Sequence, residues 1–194
     1  MSAGRGELLL FPLRTVLLPG ASLGLRVFEA RYLDLVSECS RAGRGFGVCL
    51  LLEGGEVGAG ASPATHGTEA VIEDFGTGDD GLLTLRVRGA RRFRVLRTRV
   101  RDNGLLVGEV DWMPRDPDDE LRAEHALLAT LLVGILDQVG GEYAKAPASR
   151  LDEAAWIGWR LAELLPISDE QRLELLQEPD PHARLDRLLA LVPE

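Results

Sequence analysis

Lysine is almost absent from this chain: Lys145 is the only one among 194 residues, and arginine supplies the other positive charges. A phosphate-binding P-loop needs a lysine directly after a glycine-rich run. Lys145 lies in YAKAPAS with no such run before it, so nucleotide hydrolysis of that kind is excluded. Cysteine is equally scarce. Cys39 and Cys49 are expected to be free thiols of a cytoplasmic protein rather than a disulfide.

Long apolar runs and metal-ligand motifs are missing as well. No stretch approaches the roughly 18 apolar residues that a membrane span needs, and the N-terminal apolar run is too short for a signal peptide. The sequence holds no CxxC or HExxH, and its three histidines stand far apart. We therefore expect a cytoplasmic location, no cofactor, no bound metal and no membrane partner.

Charge is distributed unevenly along the chain. Residues 1–115 carry 15 arginines and 14 acidic residues, a net charge of +1, whereas residues 116–194 have a net charge of −10. The change falls at MPRDPDDE (113–120), where two prolines interrupt the hydrophobic pattern. We predict a domain boundary there, between a β-rich part (1–115) and an α-helical part (116–194).

The first part reads mostly as short strands that alternate apolar and polar residues, a pattern typical of an antiparallel sheet. Asp102-Asn103-Gly104 predicts a hairpin turn, and one helix is predicted over 29–42 with Gly43 as its cap. The glycine-rich segment 54–67 is interpreted as a mobile loop. The predicted strands are 7–13, 23–28, 46–52, 68–75, 82–89, 92–100 and 105–112.

The second part reads as helices with one apolar face each. Apolar residues recur at helical spacing in 119–139 and 150–165. Ser168 and Gln171 predict a capping box, and Asp180 before a proline predicts a further helix start. Trp156 and Trp159, within the second of these helices, are interpreted as core residues rather than a ligand platform.

The segment Gly20-Ala21-Ser22-Leu23-Gly24 matches G-x-S-x-G, the nucleophile elbow of serine hydrolases. That elbow requires a strand that turns directly into a helix. Here a Pro-Gly pair precedes Ser22 and the strand-like LGLRVF follows it, which favours a type II turn. A hydrolase centred on Ser22 remains the weaker alternative.

The segment 86–101 holds eight arginines and no acidic residue. One interpretation is a phosphate-binding surface for RNA or DNA on an arginine-rich hairpin. The other is the solvated face of that hairpin, which we favour because Phe93 is the only aromatic residue there and the chain as a whole is acidic.

Four segments in order resemble the N-terminal (substrate-binding) domain of Lon proteases. LLLFPLRTVLLPGASLGLRVFEARYLDLV (8–36) resembles its opening, with Phe-Glu-x-Arg-Tyr entering a helix. FGVCLLLEGGEVGAGASPATHGTEAVIE (46–73) and GLLTLRVRGARRFRV (81–95) resemble the next blocks. LPISDEQRLELLQEPDPHARLDRLLALV (165–192) resembles the helical close.

The resemblance implies an α+β fold, a PUA-like pseudo-barrel of mostly antiparallel strands followed by a C-terminal helical bundle. It also implies a stand-alone, non-enzymatic domain that binds unfolded or partner polypeptides, since the ATPase and the Ser-Lys protease of the full enzyme lie in other modules. An RNA-binding PUA-like module that uses residues 86–101 is the alternative. We expect binding in a groove between barrel and bundle or at an exposed sheet edge. The candidate binding residues are Glu29, Arg31, Tyr32, Glu56 and Arg92.

Overall fold

The computed structural model describes residues 3–52 and 62–193, so the predicted binding residue Glu56 lies outside the described residues. The chain divides into two compact units, Met1–Pro114 and Arg115–Glu194. The first unit is a sheet with one helix and the second is helical. This mixed α+β architecture, with a mostly antiparallel sheet followed by helices, confirms the predicted fold class.

The sheet unit contains six strands and one helix within its described residues, one strand fewer than the sequence predicts. They are β1 (Arg5–Leu13), β2 (Ser22–Val27), α1 (Ala30–Ala42), β3 (Phe46–Leu52), β4 (Ser62–Thr77), β5 (Leu83–Val100) and β6 (Leu106–Trp112). The strand order is β2-β5-β4-β3-β1-β6, and β5 also pairs with β6. That last pairing joins the sheet into a closed ring of five strands, from which β2 projects as an added strand on β5. β1 and β3 pair in parallel, and all other pairs are antiparallel.

The interior of the ring is filled by a cluster of side chains around Phe93 of β5. Two glycines of neighbouring strands make room for the aromatic ring of Phe93. A Cβ on Gly47 would lie 2.8 Å from Phe93 Cζ, and one on Gly67 would lie 2.6 Å from the same atom. The other members of the cluster are Leu8, Leu10, Cys49 and Val110.

β5 is one continuous strand of 18 residues, where two strands, 82–89 and 92–100, were predicted. Gly89, the last residue of the first predicted strand, lies within β5 and allows close packing. The turn at Pro19-Gly20 docks on it: Gly89 N–H donates to Ala21 O at 2.8 Å, and Gly20 N–H donates to Gly89 O at 2.8 Å. The prediction of an arginine-rich hairpin over 86–101 is therefore wrong, because residues 86–100 follow one another along a single strand.

β4 begins at Ser62, so the prediction of a loop over 54–67 is wrong for its last six residues. The pairs Leu52–Ser62 and Cys49–Gly67 place this segment against β3. Gly67 is needed there for a close approach of two strands, because a Cβ would lie 2.4 Å from Val48 O. Residues 54–61 lie outside the described residues.

The helical unit contains four α-helices within residues 115–193. They are α2 (Ala126–Val139), α3 (Ala154–Leu164), α4 (Asp169–Gln177) and α5 (Pro181–Leu191). The predicted caps are confirmed. Ser168 and Gln171 form the reciprocal capping box of α4, and the Asp180 side chain accepts from His182 N–H at the start of α5. No helix of the described residues is long and apolar enough to cross a membrane.

The predicted helices 119–139 and 150–165 both begin later than expected. Leu121 N–H donates to Asp152 O at 2.8 Å, and Ala154 N–H donates to Asp119 O at 3.0 Å. These bonds hold 119–121 extended against 152–154, so the backbone is unavailable for helical hydrogen bonds. One 3₁₀ turn (Ala123–His125) then precedes α2, and another (Ala148–Asp152) precedes α3.

A buried arginine organises the core of the helical unit. Arg184 of α5 is fully buried, and both of its terminal nitrogens donate to the carboxylate of Asp116 at 3.1 Å. Its guanidinium carbon lies 3.6 Å from the ring centre of Trp159, whose indole N–H also donates to Asp116 at 2.8 Å. Trp159 is a core residue, as predicted, while Trp156 is half-buried against Tyr143.

Candidate functional site

The junction between β2 and α1 brings together three of the predicted binding residues. Glu29 is the N-cap of α1 and has extended backbone angles, but its side chain makes no capping bond. Instead it accepts a 2.9 Å hydrogen bond from Arg31 Nε. The Arg31 guanidinium carbon lies 4.7 Å from the ring centre of Tyr32. The three side chains therefore form one connected group at the start of the helix.

Tyr32 anchors this group to the sheet. Its ring stacks on Phe11 of β1 with ring centres 4.0 Å apart and an angle of 5° between the planes. Partial burial raises the pKa of the Tyr32 hydroxyl above its ordinary value, and the positive charge of Arg31 opposes that shift. The phenol is accordingly neutral at physiological pH, and the ring offers an apolar edge next to the charged pair.

One polar face of α1 is tied to the turn between β5 and β6. Arg31 Nη1 donates to Gly104 O at 3.4 Å. Asn103 Nδ2 donates to the carboxylate of Asp34, also at 3.4 Å. Arg101 donates to both carboxylate oxygens of Glu38. Positions 31, 34 and 38 share a helix face, and no residue adjacent to them in sequence indicates this contact. Gly104 has a φ of 86°, which confirms the predicted turn glycine.

Phe28 is the exposed aromatic residue at this junction. It directly follows β2, and 67% of its surface is open to solvent. Covering a side chain of that size would release free energy that its exposure to water forgoes, so Phe28 is available for an apolar contact with a partner. The Glu29–Arg31 ion pair borders it in sequence. We refer to residues 28–32 below as the junction surface.

The arginine run is largely neutralised by acidic residues of β1, β4, β6 and α1. Arg88 binds Glu73 through two nitrogens, Arg91 binds Glu69 in the same way, and Arg99 binds Glu7. Because each acidic partner is remote in sequence, these pairs depend on the strand register and not on local sequence. The remaining pairs are Arg86–Glu73, Arg94–Asp111, Arg97–Glu109 and Arg101–Glu38.

Arg92, the remaining arginine of the run, is placed differently from the other candidate binding residues. It lies on β5 opposite Thr68 of β4 and is only 5% exposed. It does not belong to the junction surface, and its predicted role in binding stays a prediction.

Ser22 lies at the first position of β2, paired with Arg88 of β5. Gly20 has a φ of 79°, and Ala21 N–H donates to Leu18 O at 3.0 Å, which defines the predicted type II turn. The serine is exposed at the start of a strand, whereas an elbow serine stands where a strand turns into a helix. The arrangement lacks the geometry that the nucleophile interpretation needs.

One group of side chains in the helical unit has the residue types of a metal site. Glu124, His125 and Asp186 each place one ligand atom within 4.8 Å of the others. His125 Nε2 lies 2.6 Å from Asp186 Oδ1, while its buried Nδ1 has no partner among the described residues. Metal-bound imidazoles usually donate their second ring N–H to an acceptor. Because Nδ1 lacks an acceptor, we interpret the group as a buried histidine held by a carboxylate.

Comparison with known proteins assigns this architecture. Residues 7–194 match the family model of the substrate-binding domain of ATP-dependent protease La (LON). The chain belongs to this family, as the resemblance in the sequence indicated. Among curated protein sequences, none matches the chain.

Two solved structures show the same fold. A Lon N-terminal domain protein from Xanthomonas campestris is 60% identical, with a TM-score of 0.83, and the match covers 97% of this chain and 99% of that one. The N-terminal domain of the Lon protease of the Mycobacterium avium complex is 21% identical, with a TM-score of 0.71 and coverage of 95% and 97%. At that identity the second structure supports the fold alone.

Proposed function

We propose that this chain is a non-enzymatic module that binds unfolded or partner polypeptides through its sheet unit. The observation that carries the proposal is the match of residues 7–194 to a substrate-binding domain whose name refers to a protease substrate, which is a polypeptide. The unpaired cysteines Cys39 and Cys49 fit a cytoplasmic location for this binding.

The chemistry of the side chains in the junction surface supports the proposal. Unfolded polypeptides differ from folded ones in exposing apolar side chains, and the exposed ring of Phe28 can cover such a side chain. Glu29 and Arg31 can bind polar groups of a peptide next to it. Tyr32 contributes as the support that holds Arg31 in place, since it is fixed by its stack on Phe11.

The alternative of RNA binding receives no such support. Seven of the eight arginines in 86–101 already contact carboxylates, and the eighth is buried. A polyanion would have to displace these acidic partners and work against the net charge of −9.

Fluorescence anisotropy with a labelled, permanently unfolded polypeptide tests the proposal. Reduced and carboxamidomethylated α-lactalbumin is a suitable probe, because the amide caps block the thiols without adding negative charge. We expect binding by the wild type in the micromolar range and about tenfold weaker binding by Phe28→Ser, because loss of one buried aromatic contact corresponds to roughly that factor.

Phe75→Ser provides the matched control. Phe75 is also an exposed phenylalanine, at 52%, but lies on β4, on the other side of β5 from β2. Its replacement should leave the affinity unchanged. Absence of wild-type binding at high micromolar concentration would refute the proposed function.

A further inference from the structure

The edge of the sheet at β2 is open. β2 stands at the end of the strand order and pairs with β5 on one side, and among the described residues no strand pairs with its other side. From this edge we infer how a polypeptide is held: an extended segment adds to β2 as a further strand. The inference rests on the proposed function and concerns its binding mode.

The hydrogen-bond register shows which main-chain groups of β2 point outward. The bond from Gly89 N–H to Ala21 O makes Ala21 and Gly89 a directly bonded pair. Bonded and non-bonded pairs alternate along antiparallel strands. It follows from the register that three pairs are not hydrogen-bonded to each other: Ser22–Arg88, Gly24–Arg86 and Arg26–Thr84.

Ser22, Gly24 and Arg26 consequently direct their N–H and C=O groups away from β5. Together they present three donors and three acceptors along the open edge, repeating about every 7 Å. Another extended main chain matches both the spacing and the alternation of these groups.

Gly24, in the middle of the edge, is not required by the internal structure. A Cβ there would meet nothing within 4 Å, and Gly24 is not among the glycines with positive φ. Glycine weakens a strand interior and often marks a place where another backbone approaches closely. At this position it leaves the edge clear of side-chain atoms.

The side chains beside the edge indicate the chemistry of the added strand. Leu23 and Leu25 are half-buried, whereas their partners on β5, Val87 and Leu85, are buried. The apolar layer thus becomes open to solvent toward the edge. An added segment with apolar residues at alternate positions would cover both leucines and continue the layer. Such segments are exposed in unfolded chains.

The segment also leads to the junction surface. β2 ends at Val27, and the exposed ring of Phe28 follows at once. A strand added along Ser22–Val27 therefore reaches Phe28 at one of its ends. The edge would supply main-chain hydrogen bonds, and the ring would supply an apolar contact with the end of the segment.

A pair of substitutions at Gly24 tests the inference. Gly24→Pro removes the outward N–H of position 24. No hydrogen bond to β5 is lost, because position 24 belongs to a non-hydrogen-bonded pair. Proline is tolerated on edge strands when its nitrogen faces solvent in this way. Gly24→Val keeps the N–H and improves strand propensity. The probe is a fluorescein-labelled octapeptide of alternating valine and threonine.

We expect the wild type and Gly24→Val to bind this peptide with similar affinity, and Gly24→Pro to bind it about tenfold more weakly. Two forms of the peptide, N-methylated either on threonine or on valine, each keep one free edge, so the form whose methylated edge faces β2 should bind the wild type about tenfold more weakly than the other. This second measurement applies even if Gly24→Pro fails to fold, which circular dichroism detects.

Two negative outcomes are distinguishable. Equal binding of the wild type and folded Gly24→Pro, or equal binding of both methylated forms, would overturn strand addition and leave the proposed function standing. Failure of the wild type to bind both the octapeptide and unfolded α-lactalbumin would overturn the proposed function itself, and strand addition with it.

Discussion

Arg101 and Glu38 join the end of β5 to helix α1 through two hydrogen bonds, 2.7 Å and 3.2 Å long, between the guanidinium and both carboxylate oxygens. The pair sets the distance between the β5–β6 turn and the helix that carries the junction surface. Hydrogen bonding to Arg101 also lowers the pKa of Glu38 below its ordinary value, and the same occurs at Glu7 through Arg99 and at Glu73 through Arg88.

These lowered pKa values predict a loss of stability in acid. The unfolded chain takes up protons near the ordinary glutamate value of 4.5, before the folded carboxylates do. The contribution of the three pairs is therefore complete above that pH and disappears as the pH falls through the folded pKa values. Urea unfolding of Arg101→Gln across this window should show a weaker pH dependence than the wild type. Arg122→Gln, whose contact with Glu124 is 3.8 Å, should retain the wild-type dependence, and parallel curves for all three would contradict the account.

The pair Arg184–Asp116 is expected to dominate the stability of the helical unit. Asp116→Ala leaves a fully buried guanidinium without its counter-charge and removes the acceptor of the Trp159 indole. We expect a decrease of about 3–5 kcal/mol in the free energy of unfolding. Glu124→Gln, in an exposed pair, should change it by less than about 1 kcal/mol. Chemical denaturation of both variants measures the difference, and equal effects would refute the structural role assigned to Arg184.

Substitution of Gly89 should destabilise the sheet unit. A Cβ there would lie 2.1 Å from Leu18 O, so Gly89→Ala must displace the Pro19-Gly20 turn. We expect destabilisation by about 1–3 kcal/mol in thermal or urea unfolding. Gly24→Ala is the matched control and should have little effect, since its Cβ would meet open space. A stable Gly89→Ala variant would mean that the turn docks differently.

RNA binding is expected to be negligible at physiological salt. Because the arginines of 86–101 contact acidic residues, a titration with poly(U) should give no saturation in about 0.15 M salt. The double variant Glu69→Gln/Glu73→Gln, which frees Arg86, Arg88 and Arg91, should bind more tightly and with a steeper salt dependence. Wild-type binding with a steep salt slope would instead favour the RNA-binding alternative.

Local signals in the sequence predicted the helix ends well. The cap of α1 at Gly43, the capping box of α4 and the start of α5 at Asp180 each depend on a few adjacent residues, and all three are confirmed. The turn at Gly104 depends on local residues in the same way.

Features that depend on strand register could not be predicted. The break predicted between 82–89 and 92–100 is absent from β5, because nothing near Gly89 in sequence reveals the backbone of Leu18 packed against it. The acidic partners of the arginine run lie up to 92 residues away, as with Arg99 and Glu7. The late starts of α2 and α3 have the same cause, since the bond from Leu121 to Asp152 is not encoded by neighbouring residues.

Only part of the candidate site could be predicted from the sequence, because the rest depends on contacts between distant strands. Glu29, Arg31 and Tyr32 are neighbours in the chain, so a motif was enough to group them. Their connection to Gly104 and the stack on Phe11 required the fold. The open edge of β2 likewise became visible only when the strand order was known.

Amide hydrogen exchange by NMR, with and without the alternating valine–threonine octapeptide, tests the central claim most directly. Strand addition predicts that the amides of Ser22, Gly24 and Arg26 gain protection when the peptide is added, whereas those of Leu23 and Leu25, already bonded to β5, change little. Binding of the peptide without added protection at those three amides would contradict the account.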